Sequence, residues 1–157
     1  MEIKELEIKE LEDFAPIFDS YRQRYKQPSE LEKVKQYLLK MLETASSKIL
    51  LSYENEHITG FIQLYPSFSS IGLAPIWILN DFYIFSGSQK KLTATMLMDE
   101  AKKLCQATNA IRVEVNTRKE NHKLHKLYKE YGFEKDYKYD YYFLRVNKQT
   151  AASEMLK

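Results

Sequence analysis

Asn121-His122-Lys123-Leu124-His125-Lys126-Leu127-Tyr128-Lys129-Glu130-Tyr131-Gly132-Phe133 reads as one short helix. It starts at an asparagine, carries a tyrosine further along, and stops at a glycine before an aromatic opens the next segment. Two turns of helix advance about seven residues, so Asn121 and Tyr128 share one face about 10 Å apart. One polar group there can grip an extended ligand while the other donates a proton further along it. An amphipathic helix closed by a glycine C-cap accounts for the same residues.

Upstream of this helix, Ile111, Val113 and Val115 alternate as a strand. Before that a helix runs to about Thr108, with Leu92, Met96, Ala101, Leu104 and Cys105 inward. Ile76 to Phe85 is a nearly continuous apolar strand broken only by Asn80-Asp81, and such a strand should be central in its sheet. Pro66 to Pro75 reads as a serine-rich loop. Lys48–Tyr53 and His57–Tyr65 form a hairpin around Glu54-Asn55-Glu56. Nearer the start, Leu11 to Tyr25 and Leu31 to Leu42 show helical spacing, the second opened by a capping box, Ser29-Glu30-Leu31-Glu32. Ile3, Leu6 and Ile8 suggest a first strand. Phe133 and Tyr139 to Val146 supply the last strands, and residues 148–157 read as a frayed tail.

A chain of 157 residues is long enough for one domain with a real core, placed here at residues 1–147. A formal net charge of +2 gives no case for nucleic-acid binding. No apolar run reaches membrane-spanning length and the acidic start is no signal peptide, so a cytoplasmic protein without a membrane partner is expected. Cys105 is the only cysteine, which leaves no disulfide framework and marks it as a packing residue. His57, His122 and His125 form no metal pattern, and no metal is expected.

The 121–133 stretch resembles the last signature of the GNAT N-acetyltransferases. That signature, Asn-x-x-(small)-x-x-Leu-Tyr-x-x-x-Gly-Phe, is matched at every point except the small residue, which is Leu124 here. The element order β-α-α-β-β-β-α-β-α-β-β is similar to the family's from about Met1 to Val146. Asn80-Asp81-Phe82-Tyr83-Ile84 is similar to the Glu-Asp-Phe-Phe-Val strand of diamine and spermidine acetyltransferases, with Asn80 in the glutamate's place. The resemblance implies an α/β fold with a mixed sheet of about six or seven strands and about four helices. It implies acetyl transfer from acetyl-coenzyme A to a primary amine in a ternary complex, with Tyr128 as general acid.

The family's pyrophosphate loop, Gln/Arg-x-x-Gly-x-Gly/Ala, falls at Gln89-Lys90-Lys91-Leu92-Thr93-Ala94. Gln89 and Ala94 match, and Leu92 stands where glycine is expected. Backbone N–H groups and the positive end of a helix dipole would hold the phosphates there, with Lys90 and Lys91 adding charge. Asn121 and Lys126 are further cofactor contacts by resemblance, and Arg118, Lys119, Lys123 and Lys129 add positive charge nearby. A backbone N–H around Tyr83 or Ile84 is the implied oxyanion donor.

Asp81 interrupts an apolar strand, where a carboxylate is expensive unless used or paired. It is the first candidate for the base, and Glu114 is the second. Tyr25, Tyr65, Phe68 and Asn80 are candidate acceptor contacts, with Tyr21 divided between that role and core packing. The acceptor is a small-molecule or peptide amine, and the aromatic stretch 139–143 could serve a homodimer interface. Leu92 keeps a second reading open: a catalytically weak or silent member of the fold that binds a ligand or partner.

Overall fold

The computed structural model describes residues 1–144 and 146. The chain runs β1 (Glu2–Glu5), a single 3₁₀ turn (Ile8–Glu10), α1 (Leu11–Gln23), α2 (Leu31–Glu43), β2 (Lys48–Glu54), β3 (His57–Ser69) and β4 (Ala74–Ile84). It continues through α3 (Lys90–Ala107), β5 (Val113–Val115) and α4 (His122–Tyr131). The strands form one sheet in the order β1-β2-β3-β4-β5, antiparallel up to β4 and parallel between β4 and β5.

The inner strands are apolar at consecutive positions because both faces of the sheet are covered. Side chains alternate between faces. Ile49, Leu51 and Phe61 pack against Phe14 and Phe18 of α1 and Leu38 of α2. Leu50, Ile62, Leu64 and Leu79 pack against Leu97, Ala101 and Cys105 of α3. Phe61 holds the first core through edge-on contacts with Phe14 at 5.0 Å and Tyr21 at 5.2 Å.

A bulge in β4 then changes the pattern. Gln63 pairs with Asp81 and Leu64 with Leu79, so Asn80 is the extra residue. Leu79 and Phe82 therefore face α3 although three positions apart. Without the bulge, strict alternation would put Asp81 on the α3 face with Leu79. With it, Asp81 turns towards α1, where the Tyr21 hydroxyl meets it. The parallel pairing of β4 with β5 ends at the same point, at Leu79 and Val115, so residues 80–84 have no strand on that side among the described residues.

Several expectations are corrected. The sheet has five strands among the described residues, because residues 133–144 form no strand. The adjacent β5, three residues long, offers little ladder for a further strand to join. Position 145 and the tail 148–157 lie outside the described residues. Pro66 lies within β3, which pairs with β4 as far as Ser69 opposite Ala74. Proline is tolerated there because β2 begins opposite Leu64, leaving the other side of Pro66 without a strand. No capping box opens α2: its N-cap is Glu30, and the Ser29 hydroxyl instead donates to Asp19 Oδ2 at 2.6 Å. Ile8 lies in the 3₁₀ turn, exposed, not in β1.

Helix α4 forms as its sequence directs. Asn121 Oδ1 accepts from Leu124 N at 3.2 Å, and Gly132 ends the helix in the left-handed region at φ 108°. Phe133 N and Gly132 N both donate back to Tyr128 O. A Cβ on Gly132 would meet nothing within 4 Å, so its requirement is one of backbone alone. Gly132→Ala is expected to cost about 1–2 kcal/mol, and Gly132→Asn less, because asparagine tolerates this conformation. Urea midpoints of the two variants against the parent check the order.

Candidate active site

Asp81 is only 3 % exposed. The Tyr21 hydroxyl donates to its Oδ1 at 2.9 Å, and the Asn80 amide donates to its Oδ2 at 2.8 Å. The Tyr25 hydroxyl lies 3.4 Å from that of Tyr21. Tyr21 has one proton to give, and the shorter contact to a carboxylate is the stronger claim on it. Burial, then the nearby Asp81 charge, raise the Tyr21 phenol far above its ordinary range.

These groups form one end of a cleft of about 440 Å³ between α1, α2 and the sheet. Its walls are aromatic: Phe18, Tyr21 and Tyr25 from α1 and its C-terminal turn, Tyr37 from α2, and Tyr65 from β3. Phe18 and Tyr37 stack with centroids 5.9 Å apart, and Tyr21 and Tyr25 meet edge-on at 5.1 Å. The Tyr37 and Tyr65 hydroxyls are hydrogen-bonded, and Gln63 Nε2 donates to Tyr37 at 3.2 Å and to Ser47 Oγ at 2.8 Å.

The rim carries ions that neutralise one another. Arg22 bridges Asp19 at 3.0 Å and Glu30 at 3.2 Å, and Lys33 also pairs with Glu30. Asp19 is buried, which opposes its charge, yet Ser29, the Glu30 backbone, Gln23 and Arg22 all donate to it and hold its carboxyl below the usual range. This knot fixes the junction of α1 and α2 from which the cleft is built.

Tyr128 lies on the other side of β4. It is 7 % exposed and packs edge-on against Phe82 at 6.3 Å and against Phe133 at 5.3 Å. Burial pushes its phenol up to about 12, with Tyr25 adding a smaller effect. It therefore keeps its proton at neutral pH, as a donor must.

The segment before α3 is tied to the β2–β3 turn. Glu54 accepts from Ser88 N at 3.0 Å and from the Ser88 hydroxyl, and Gly87 turns there at φ 94°. Gln89 is the N-cap of α3 and gives no side-chain cap. Lys90 reaches the Phe85 carbonyl at 3.3 Å. Lys91 pairs with Glu130 of α4 at 2.8 Å, and Lys126 lies 3.8 Å from the same carboxylate. Leu92 is 47 % exposed, whereas Thr93 and Ala94 are buried. Thr93 turns its hydroxyl to the Gln89 carbonyl at 3.2 Å.

Of the residues singled out from the sequence, Tyr25, Tyr65, Asn80 and Asp81 line the cleft together, and Tyr21 joins them while also packing in the core. Tyr83 and Ile84 lie at the end of β4, opposite Phe61 and Gly60. Asn121 caps α4. Phe68 is 79 % exposed on the β3–β4 hairpin, away from the cleft, and Glu114 is exposed and paired with Arg112. Sequence reasoning missed Tyr37, Arg22 and Glu30. The only signal for them was helical spacing in two segments joined by a short Pro28 linker, which brings the end of α1 beside the start of α2. Cys105 is buried in the second core, which raises its thiol. Among the described residues no group of three His, Cys, Asp or Glu could hold a metal ion, and no helix is long and apolar enough to cross a membrane.

The pattern of the Acetyltransferase (GNAT) family matches residues 11–133. The chain therefore belongs to the GNAT acetyltransferases. It is 34 % identical over 146 residues to the uncharacterized N-acetyltransferase YhfO of Bacillus subtilis (strain 168), which covers 93 % of this chain and 98 % of that one. The crystal structure of a probable acetyltransferase matches with a TM-score of 0.87 at 36 % identity, over 94 % of this chain and 99 % of the other. The aminoglycoside 6'-N-acetyltransferase AAC(6')-IG of Acinetobacter haemolyticus shares the fold, with a TM-score of 0.72 at 18 % identity over 94 % and 100 % of the two chains.

The raised phenols carry a stability consequence. An exposed tyrosine loses its proton near 10. Between about pH 10 and 12 the unfolded chain is deprotonated at position 128 while the folded chain keeps the proton, so stability falls as pH rises through that window. Tyr128→Phe should lose stability less steeply there than the parent. Urea titrations at pH 9, 10.5 and 12 read the two slopes.

Proposed function

We propose that the protein transfers the acetyl group of acetyl-coenzyme A to a primary amine by direct attack in a ternary complex, with Tyr128 as general acid. The observation that carries this reading is the gap beside β4. The strand has no β5 partner after Leu79, Asp81 faces the aromatic cleft, and Tyr128 packs behind Phe82 on the opposite face. Acetyl-coenzyme A, when bound, supplies an acyl group carried on a thiol leaving group.

The start of α3 fits a pyrophosphate. Its N-cap side chain leaves the first-turn N–H groups uncapped, its first turn holds no acidic residue, and Lys90 and Lys91 stand there. Positive charge at a helix N-terminus works against the dipole, and an anion placed there relieves both. Asn121 and Lys126 would extend the contact along α4.

Ile84 is the better of the two oxyanion donors. Phe85 N donates to Thr59 O, and a Cβ on Gly60 would stand 2.7 Å from Tyr83 O, so residues 83 and 85 direct their backbone groups to β3. Alternation sends the Ile84 N–H to the opposite, open edge, where it can meet negative charge developing on a carbonyl oxygen.

Asp81 serves the amine. A lysine-like amine has a pKa of about 10.4, so on the order of one molecule in a thousand is neutral at pH 7. Asp81 holds the ammonium at the cleft floor and takes the proton that must leave before the nitrogen can attack, while Tyr21 and Asn80 orient the carboxylate; the second nitrogen proton, lost as the amide forms, goes to water and balances the one Tyr128 gives. Tyr128 gives its proton to the departing sulfur.

Tyr128→Phe is expected to lower kcat about 10²-fold or more and to change the KM for acetyl-coenzyme A less than about threefold, measured by thiol release. An equal loss in both parameters would remove Tyr128 from the acid role. The exposed Leu92, standing where the family has glycine, favours the rival reading of a silent family member. Calorimetry separates the two. Binding of acetyl-coenzyme A by the parent chain supports the enzyme, whereas binding only after Leu92→Gly supports the silent protein.

A further inference from the structure

Five residues, 85–89, join the end of β4 to the start of α3, and among them are Ser86, Gly87 and Ser88. A link this short, polar and glycine-containing has many arrangements of its own. The β2–β3 hairpin selects one. Thr59 O accepts from Phe85 N at 3.1 Å and from Ser86 N at 3.3 Å. Two residues further on, both oxygens of the Glu54 carboxylate are used on Ser88: Oε2 accepts from its N–H at 3.0 Å and Oε1 from its hydroxyl. Gly87 crosses between these two ties at φ 94°, where a Cβ would stand 2.9 Å from Glu54 Oε2. Glu54 is the last residue of β2, paired with His57 across a two-residue turn whose Asn55 and Glu56 both have positive φ. Such turns match the twist of the strands they join, so the carboxylate stands on a regular hairpin.

We propose that Glu54 is a positioning residue for the start of α3: its two-point grip on Ser88 holds the first turn ready for the pyrophosphate before any ligand arrives. Ser88 immediately precedes Gln89, the N-cap that gives no side-chain cap, and the first intrahelical bond of α3 runs from Thr93 N to Gln89 O at 3.0 Å. The N–H groups of Lys90, Lys91 and Leu92 thus have no intrahelical partner, and where they point follows from where residue 88 is fixed. The body of α3 is secured separately, by Leu97, Ala101 and Cys105 in the core. Loss of the carboxylate therefore frees the link and the first turn and leaves the rest of the helix and the sheet intact. Donors already in place bind an anion without the cost of ordering them. This inference rests on the reading that acetyl-coenzyme A binds there, and its structural component is tested without ligand.

The test compares the full-length parent with Glu54→Ala, Glu54→Gln and Ser88→Ala. Glutamine keeps an acceptor for the Ser88 N–H and an amide to meet the hydroxyl, so it separates the grip from the charge. Amide hydrogen exchange without ligand, read by NMR, should be about fivefold faster or more in Glu54→Ala at Phe85, Ser86 and Thr93, whose own acceptors the substitution leaves in place, and unchanged at Leu97 and Ala101. Calorimetry should show acetyl-coenzyme A binding about tenfold weaker in Glu54→Ala, a smaller loss in Ser88→Ala, and Glu54→Gln within about twofold of the parent or tighter. Parent-like affinity in Glu54→Ala overturns the inference, as does parent-like exchange at the three amides. A loss in Glu54→Gln as large as in Glu54→Ala also overturns it, because charge and not the grip is then at work. A parent chain that binds no acetyl-coenzyme A overturns the acetyl-transfer reading. The exchange rates then decide the inference alone: faster exchange at Phe85, Ser86 and Thr93 in Glu54→Ala supports a held first turn, and unchanged exchange overturns it.

Discussion

The site depends on one inserted residue. Asn80 has no partner on β3, and that single break in the ladder does three things together. It reverses the facing of the strand, so a carboxylate that alternation would have sent towards α3 emerges among the tyrosines of α1. It coincides with the last pair between β4 and β5, beyond which no strand among the described residues joins that edge. It also places the Asn80 amide against Asp81 Oδ2. Bulges often re-aim side chains beside active sites. Here the re-aimed group is a buried carboxylate that lines the cleft, and a flat β4 would turn it away from the aromatic walls.

Around that charge the protein keeps its phenols protonated. Tyr21, Tyr65 and Tyr128 are all shifted upward, mainly by burial. A neutral phenol can donate, can lie against an ammonium, and adds no negative charge to compete with Asp81. The rim follows the same economy. Asp19 and Glu30 are occupied by Arg22, Lys33 and the Ser29 hydroxyl, and they set the approach of α1 to α2 without adding charge to the cleft.

What the sequence made legible was local. Helix α4 declares itself through Asn121 and Gly132 because caps are written within a few residues of the helix they close. The apolar run of β4 marked an interior strand, and Asp81 was conspicuous within it. Parity was not legible: Asn80-Asp81 appears only as a polar pair, and which of the two is inserted depends on the register with β3. Pro66 was misleading because proline usually ends a strand, and its tolerance depends on how far β2 extends alongside. Tyr37, Arg22 and Glu30 became site residues only when two helices met. The segment after Phe133 has the aromatic alternation of a strand, but strands also need a partner edge, which composition does not supply.

The doubly covered strands raise a problem of register. When both faces of a strand are apolar, sliding it by one residue exchanges one hydrophobic core for another, and polarity alone barely opposes the slip. The few buried polar residues then act as keys. Ser52 and Thr59 find each other at 2.9 Å beside a bulge, and Gln63 finds Tyr37 and Ser47. Displaced by one position, each would enter the opposite core with no partner in view. These residues weaken the apolar interior slightly, and in return they make a single alignment of β2 on β3 far better satisfied than its neighbours.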